Sequence, residues 1–220
     1  ILAEEDPVVL PEGFRLLMQY TSDPDAMAIR NYMHARGYTD RHLWEYRVGY
    51  TDEWKWRRRA IIPSFDMEGD LNYFVTRAID DTPYTYINAK ANKRHIIFND
   101  IDIDWDASTL TIVEGPLDWM KCRRINAVCI LGSSLTEDSI LFQKLVRRSM
   151  DIILSLDPDA YHKQLRIAAL LASYDLNVSL ASPGEGDLGD MDEYSVEHLM
   201  STAVEYNNEL GSLPFLINKL

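Results

Sequence analysis

The stretch LTIVEGPLDWMK, residues 110–121, decides the fold. Four apolar or β-branched residues run into Glu114, then Gly115 and Pro116, and an apolar helical pattern follows. An apolar run without alternation is the pattern of a strand covered on both faces, as in a parallel sheet. In open α/β sheets, ligands collect beyond the carboxyl ends of the strands. Glu114 is therefore placed at the rim of a candidate site. One acid there is ordinarily a solvated loop residue, so the reading turns on whether other acids occupy equivalent positions.

Working outward, the same rhythm recurs. The strand pattern AVCIL (127–131) precedes GSS and a helical EDSILFQKLVRRS; MDIILSL (150–156) precedes a helical YHKQLRIAALLASY; LNVSLAS (176–182) precedes PGEGDLGDMDEY. The helix after the first strand is read as PLDWMKCRRI, and VEHLMSTAVEYNNEL (196–210) as a closing amphipathic helix. Short apolar strands alternating with helices mean βαβ units, here an α/β domain with a four-stranded parallel sheet flanked by helices. The first hundred residues read differently. PDAMAIRNYMHARGY (24–38) has helical apolar spacing and stops at Gly37. AIIPSF and LNYFVTRAI flank the turn DMEGD as a β-hairpin, with YTYINA (84–89) and RHIIFN (94–99) as further strands. The expectation is a smaller, basic α+β subdomain over residues 1–106, followed by the parallel-sheet domain over 107–220. The tail SLPFLINKL (212–220) reads as a last helix or strand.

No apolar run approaches the ~18 residues that a membrane-spanning helix needs, and the first residues carry no basic, then apolar, leader pattern. The sequence does not begin with Met, which reads as a piece of a longer protein. Two cysteines, Cys122 and Cys129, are too few for a disulfide framework or zinc ribbon and fit a reducing, cytoplasmic setting. The formal net charge of −13 argues on its face against nucleic acid as partner. The charge is uneven, however. Residues 1–98 carry 13 Lys and Arg against 15 Asp and Glu, including the basic run KWRRR at 55–59; residues 99–220 carry 9 against 20.

The acids of the second half gather at strand ends. Glu114 and Asp118 follow the first strand, Asp157 and Asp159 the third, and Asp187, Asp190 and Asp192 the fourth. Each alone is ordinarily solvated. Together, on one edge of a sheet, they repel one another unless a cation neutralises them. Hard oxygen donors without His or Cys suit Mg²⁺ (or Mn²⁺), which bridges carboxylates to substrate phosphates. Such sites serve phosphoryl transfer. No Gly-rich phosphate loop of the Walker type is present.

The order strand–Glu-Gly-x-x-Asp, strand–Asp-x-Asp, Pro-Gly-x-x-Asp-x-x-Asp resembles the TOPRIM domain shared by bacterial-type and phage DNA primases, topoisomerases and some nucleases. It is carried by VEGPLD (113–118), LSLDPDA (154–160) and SPGEGDLGDM (182–191). CILGSSLTED (129–138) is similar to the primase turn after the second strand. RRRAIIPSFDMEGDLNYFVTRAI and YINAKANKRHIIFN are similar to the segments that precede TOPRIM in primases. The resemblance spans roughly residues 30–195. Pro158 stands where the usual Asp-Gly-Asp has its glycine, and Tyr161 and His162 replace a small pair.

The resemblance implies a DNA-dependent RNA polymerase that makes short RNA primers on single-stranded DNA from nucleoside triphosphates. In that reading Glu114 is a metal ligand or general acid/base. Asp157 and Asp159 bind Mg²⁺, Asp187 and Asp190 complete the site, and Gly115 and Asp118 support the turn. Arg58, Arg59 and Arg77, and more loosely Lys90, Lys93 and Arg94, hold template or nucleotide. Trp54, Trp56, Tyr73 and Tyr86 are candidates for base stacking, with core packing as the alternative for each. A zinc-binding module and a replicative helicase are the implied partners, and no membrane is. Two other readings stay open: a non-catalytic TOPRIM-fold assembly subunit of a phage replication complex, and a TOPRIM nuclease.

Overall fold

The computed structural model describes residues 7–20, 22–132, 134–184 and 186–206. The chain divides into two compact units, one of residues 1–92 with 98–101, the other of 93–97 with 102 onward.

In the first unit, β1 (Arg15–Leu16), β2 (Gly49–Tyr50), β3 (Arg59–Phe65), β4 (Leu71–Ala78) and β5 (Tyr86–Asn88) form one antiparallel sheet in chain order. The β3–β4 hairpin expected around DMEGD is its longest ladder. Its turn closes because Asp66 takes the Glu68 and Asp70 amides on its carboxylate and Gly69 supplies φ +89. Helix α1 (Pro24–Ala35) starts where Asp23 accepts hydrogen bonds from the Asp25 and Ala26 amides, with Pro24 in the first turn. A second helix, α2 (Asp40–Glu45), has no counterpart in the sequence reading; at six residues it is too short to show a period, and Thr39 and His42 cap each other at its start. Leu17, Ile29, Met33, Leu43, Ile61 and Ile62 are fully buried in this unit.

Asp25, buried in the first turn of α1, accepts from Arg57 Nε at 2.6 Å and from Arg58 Nη1 at 3.3 Å. The Arg57 bond outweighs burial and holds this carboxyl below its ordinary range. A carboxyl whose pKa is depressed by folding stabilises fully above its unfolded value, near ~4, and loses that contribution as pH falls through the folded value. Asp25→Asn is therefore expected to lower stability by about 1 kcal/mol at neutral pH. The deficit should shrink as denaturation is repeated below pH ~4. A deficit that stays constant across that range would show that the ion pair is not its source.

The strand expected over 94–99 does not form. Lys93–His95 is a 3-10 turn, and Ile96, Ile97 and Phe98 are buried without joining a sheet. A short apolar run reports burial; it does not specify pairing. Asn99 (φ +48) instead fastens to β3, its amide to Ser64 Oγ at 2.8 Å and its side-chain amide to the Pro63 carbonyl at 3.2 Å.

In the second unit the strands are β6 (Thr109–Val113), β7 (Ala127–Cys129), β8 (Asp151–Ser155), β9 (Val178–Leu180) and β10 (Val204–Glu205), ordered β7-β6-β8-β9-β10. The first four are parallel, as expected, and β10 adds an antiparallel edge. The helices are α3 (Pro116–Lys121), α4 (Ile140–Arg148), α5 (Tyr161–Ala172) and α6 (Glu193–Ser201). Leu110, Ile112, Val128, Ile152, Leu154, Val178 and Leu180 from the strands pack with Leu141, Leu145, Ile167, Ala168 and Leu171 from α4 and α5. Two boundaries differ from expectation. Helix α3 ends at Lys121 rather than running to 125. The closing helix ends at Ser201 and the chain turns into β10; residues 207–210 of that expected helix, and the tail 212–220, lie outside the described residues.

Candidate functional site

Register levels the carboxyl ends of the central strands. Val113 of β6 pairs with Ser155 of β8 and with Cys129 of β7, and Leu154 pairs with Leu180 of β9. Glu114 thus leaves β6 beside the point where Asp157 leaves β8, and the 182–191 loop starts one strand further along.

Gly115 opens α3, and its amide donates to Asp118 Oδ2 at 2.9 Å. A side chain at 115 would put a Cβ 3.2 Å from that same oxygen, so Asp118 would have to give way by a few tenths of an ångström. Asp118 is turned inward and is only 7% exposed. From the other side, Asp187 caps the 3-10 turn Leu188–Asp190, accepting the Gly189 amide at 3.2 Å. Ion pairs from Arg123 to Glu193 (3.5 Å) and from Arg124 to Glu197 (2.8 Å) fasten the start of α6, just after this turn, to the end of α3.

These elements bring Asp118, Asp157 and Asp187 together, each offering a carboxylate oxygen within 4.8 Å of the others. Burial, reinforced by the charges of Asp157 and Asp187, pushes the Asp118 carboxyl far above the carboxylate range. Burial also raises Asp157, to about 6, with Asp187, Glu114 and Asp159 adding repulsion and Lys163 opposing it. Glu114 Oε2 faces the Asp157 amide at 3.4 Å, and its Oε1 meets Lys163 Nζ at 2.5 Å. Asp159 and Asp190 are exposed and stand outside the converging triad. Asp118, read from sequence as a turn support, accepts the Gly115 amide and is also one of the three converging acids. Lys163 was not singled out from sequence; its only signal is a basic residue in the first turn of the helix that follows Asp157-x-Asp159.

The donor set fits a hard divalent cation. The three converging groups are all carboxylates, they come from separate segments of the chain, and their mutual repulsion is what a cation relieves.

The basic candidates differ in how they are held. Arg58 (φ +54) makes two bonds to Asp80, at 2.6 and 2.7 Å, besides its contact with Asp25. Arg59 is buried, donating to the carbonyls of Tyr84 at 2.7 Å and Thr85 at 3.2 Å. Arg77 donates to Tyr32 Oη at 2.9 Å and lies over the ring of Tyr86, 5.0 Å from its centre. Lys90 is exposed beside a groove lined by Trp56, Phe74 and Ile87. Lys93 Nζ donates to the Leu131 carbonyl at 2.9 Å, and Arg94 pairs with Asp138 at 2.8 Å. Of the aromatics, Trp56 and Tyr73 belong to the core, while Trp54 and Tyr86 are exposed.

The chain matches the fold of bacterial DNA primase catalytic cores. The chain is similar to the DnaG primase catalytic domain solved bound to single-stranded DNA (TM-score 0.70, 18% identity, 85% of this chain and 77% of that one). It is equally similar to the E. coli primase catalytic core (TM-score 0.70, 17% identity, 92% and 80%). Against the zinc-binding and RNA polymerase domains of the Aquifex aeolicus primase the TM-score is 0.72, at 18% identity over 93% and 64%. In sequence, a DNA primase of Clostridium acetobutylicum is 27% identical over 74% of this chain, and the match spans 28% of that relative's length. No family model matches the chain. Among the described residues no helix is long and apolar enough to cross a membrane.

Proposed function

We propose that the chain is the catalytic core of a DNA primase, a nucleotidyltransferase that joins nucleoside triphosphates into short RNA primers on single-stranded DNA. The observation that carries this is the convergence of Asp118, Asp157 and Asp187, with Glu114 beside them, at the carboxyl edge of a parallel sheet whose fold is that of primase cores. Asp118, Asp157 and Asp187 hold Mg²⁺ or Mn²⁺, and Asp159 and Asp190 stand by as outer carboxylates. When bound, the cation neutralises phosphate charge and favours ionisation of the attacking hydroxyl. Glu114 serves as a further ligand or as the group that takes the proton. Gly115 keeps Asp118 aimed at the centre.

The first unit, with the sequence up to about residue 106, serves as the template- and nucleotide-binding part. Arg77, Arg58, Lys90, Lys93 and Arg94 are its phosphate contacts, which hold a strand without reading its sequence. Arg59 contributes indirectly, by fastening the 84–85 turn. A zinc-binding module and a replicative helicase complete the working assembly in the cytoplasm of a bacterial or phage-infected cell.

The test is de novo synthesis: single-stranded DNA, labelled ribonucleoside triphosphates and Mg²⁺ or Mn²⁺, with a chelator-treated reaction as blank. Short RNA products that vanish with the chelator are expected. Shortened DNA in place of new RNA would replace this proposal with a nuclease.

A further inference from the structure

We propose that Lys163 is a resident counter-cation of this site: it holds Glu114 until a divalent cation takes that carboxylate, and it thereby sets the site's cation affinity. The inference rests on the metal-binding reading of the triad and concerns how that binding is tuned.

The Lys163 and Glu114 side chains are only 16% and 19% exposed and meet at 2.5 Å. They come from elements 49 residues apart. Lys163 lies in the first turn of α5, where the helix dipole disfavours a cation. Helix stability therefore gives no reason for a lysine there; the pairing with Glu114 does. Both oxygens of Glu114 are engaged, Oε1 by the ammonium and Oε2 by the Asp157 amide. A divalent cation that recruits Glu114 has to break or share the Lys163 contact, and does so against the repulsion of a like charge close by. The ammonium also opposes the repulsion that raises Asp157, so it partly balances the acids before any ion arrives.

A purely structural brace predicts the opposite sign. If Lys163 only fixed the Glu114 rotamer, removing it would disorder a ligand and weaken cation binding. If it is a competing charge, removing it leaves Glu114 available and strengthens binding.

The experiment titrates Mn²⁺ into the wild type, Lys163→Met, Lys163→Arg and Asp157→Asn without nucleotide, reading free Mn²⁺ by electron paramagnetic resonance. Lys163→Met is expected to bind about tenfold tighter, and Lys163→Arg to stay near wild type. The metal-free melting temperature of Lys163→Met should fall, and its rise on saturation with Mn²⁺ should exceed that of the wild type. Lys163→Gln keeps a donor for Glu114 without the charge; it carries the same expectation and serves if the Met variant does not fold. Equal or weaker binding in the folded neutral variants, with the wild type and Lys163→Arg binding, overturns the role of Lys163 alone. No saturable Mn²⁺ binding by the wild type, or binding unchanged in Asp157→Asn, overturns the metal reading beneath it.

Discussion

Asp157→Asn is expected to abolish primer synthesis and, in the same protein, to raise the metal-free melting temperature. The two effects have one origin. Asp157 stands in a cluster whose oxygens lie within 4.8 Å of one another, with burial and the charges of Asp187, Glu114 and Asp159 all disfavouring its ionised form. At neutral pH the ionised carboxylate destabilises the cation-free fold, and the amide removes the charge while keeping the shape. The gain should be about 1 kcal/mol, kept modest because the side chain is only half-buried. For catalysis the same change removes a ligand charge where phosphate charge must be neutralised. A loss of at least about a thousandfold, or ~4 kcal/mol in the transition state, is the scale expected for that role. Steady-state primer synthesis and thermal melting in chelator, run side by side, separate the outcomes. Activity within tenfold of wild type would remove Asp157 from the site. Lost activity with a lower melting temperature would mean a damaged fold, and would leave the ligand role without support.

How much of this was legible in the sequence differs between the two units for physical reasons. Strands β6, β7, β8 and β9 are covered on both faces, so each appears as a short apolar run, and the longer helices between them, α4 and α5, have a period long enough to see. The acids at their ends follow from that alternation alone. The elements that were missed are those too short to carry a period, namely β1, β2, α2 and β10. The run at 94–99 was misread because Ile96, Ile97 and Phe98 are buried by packing and not by a sheet, and hydrophobicity alone does not distinguish the two. Within the site, Asp118 and Asp157 were visible as acids. What hid the inward turn of Asp118 is that it depends on the Gly115 elbow, and what hid Lys163 is that its partner lies 49 residues away. The arginines show the same limit. Composition presents Arg58, Arg59 and Arg77 as equivalent, whereas their partners are two carboxylates, two backbone carbonyls and two tyrosines respectively.

That difference in partners yields a ranking for template binding. Arg58 already faces Asp80 and Asp25, so much of its charge is neutralised within the protein. Arg77 is half-buried against Tyr32 and Tyr86, neither of which neutralises it. It stands directly across the β4–β5 ladder from Tyr86, a residue 46% exposed. A cation beside an accessible ring offers one phosphate contact and one stacking face to a single strand. The double variant Arg77→Ala/Tyr86→Ala is therefore expected to weaken single-stranded DNA binding about a hundredfold, stacking and charge each contributing more than 1 kcal/mol. The two halves separate by salt. Arg77→Ala should reduce the slope of log affinity against log salt by about 0.7, the value for one phosphate on a single strand, whereas Tyr86→Ala should lower affinity with the slope unchanged. Arg58→Ala should have the smaller effect on affinity and the larger one on melting temperature, since it breaks the pairs with Asp80 and Asp25. Fluorescence anisotropy with a labelled oligonucleotide at several salt concentrations reads all of these. Equal losses for Arg58→Ala and Arg77→Ala, or a slope that moves with Tyr86→Ala, would mean that internal neutralisation does not decide which arginine holds the strand.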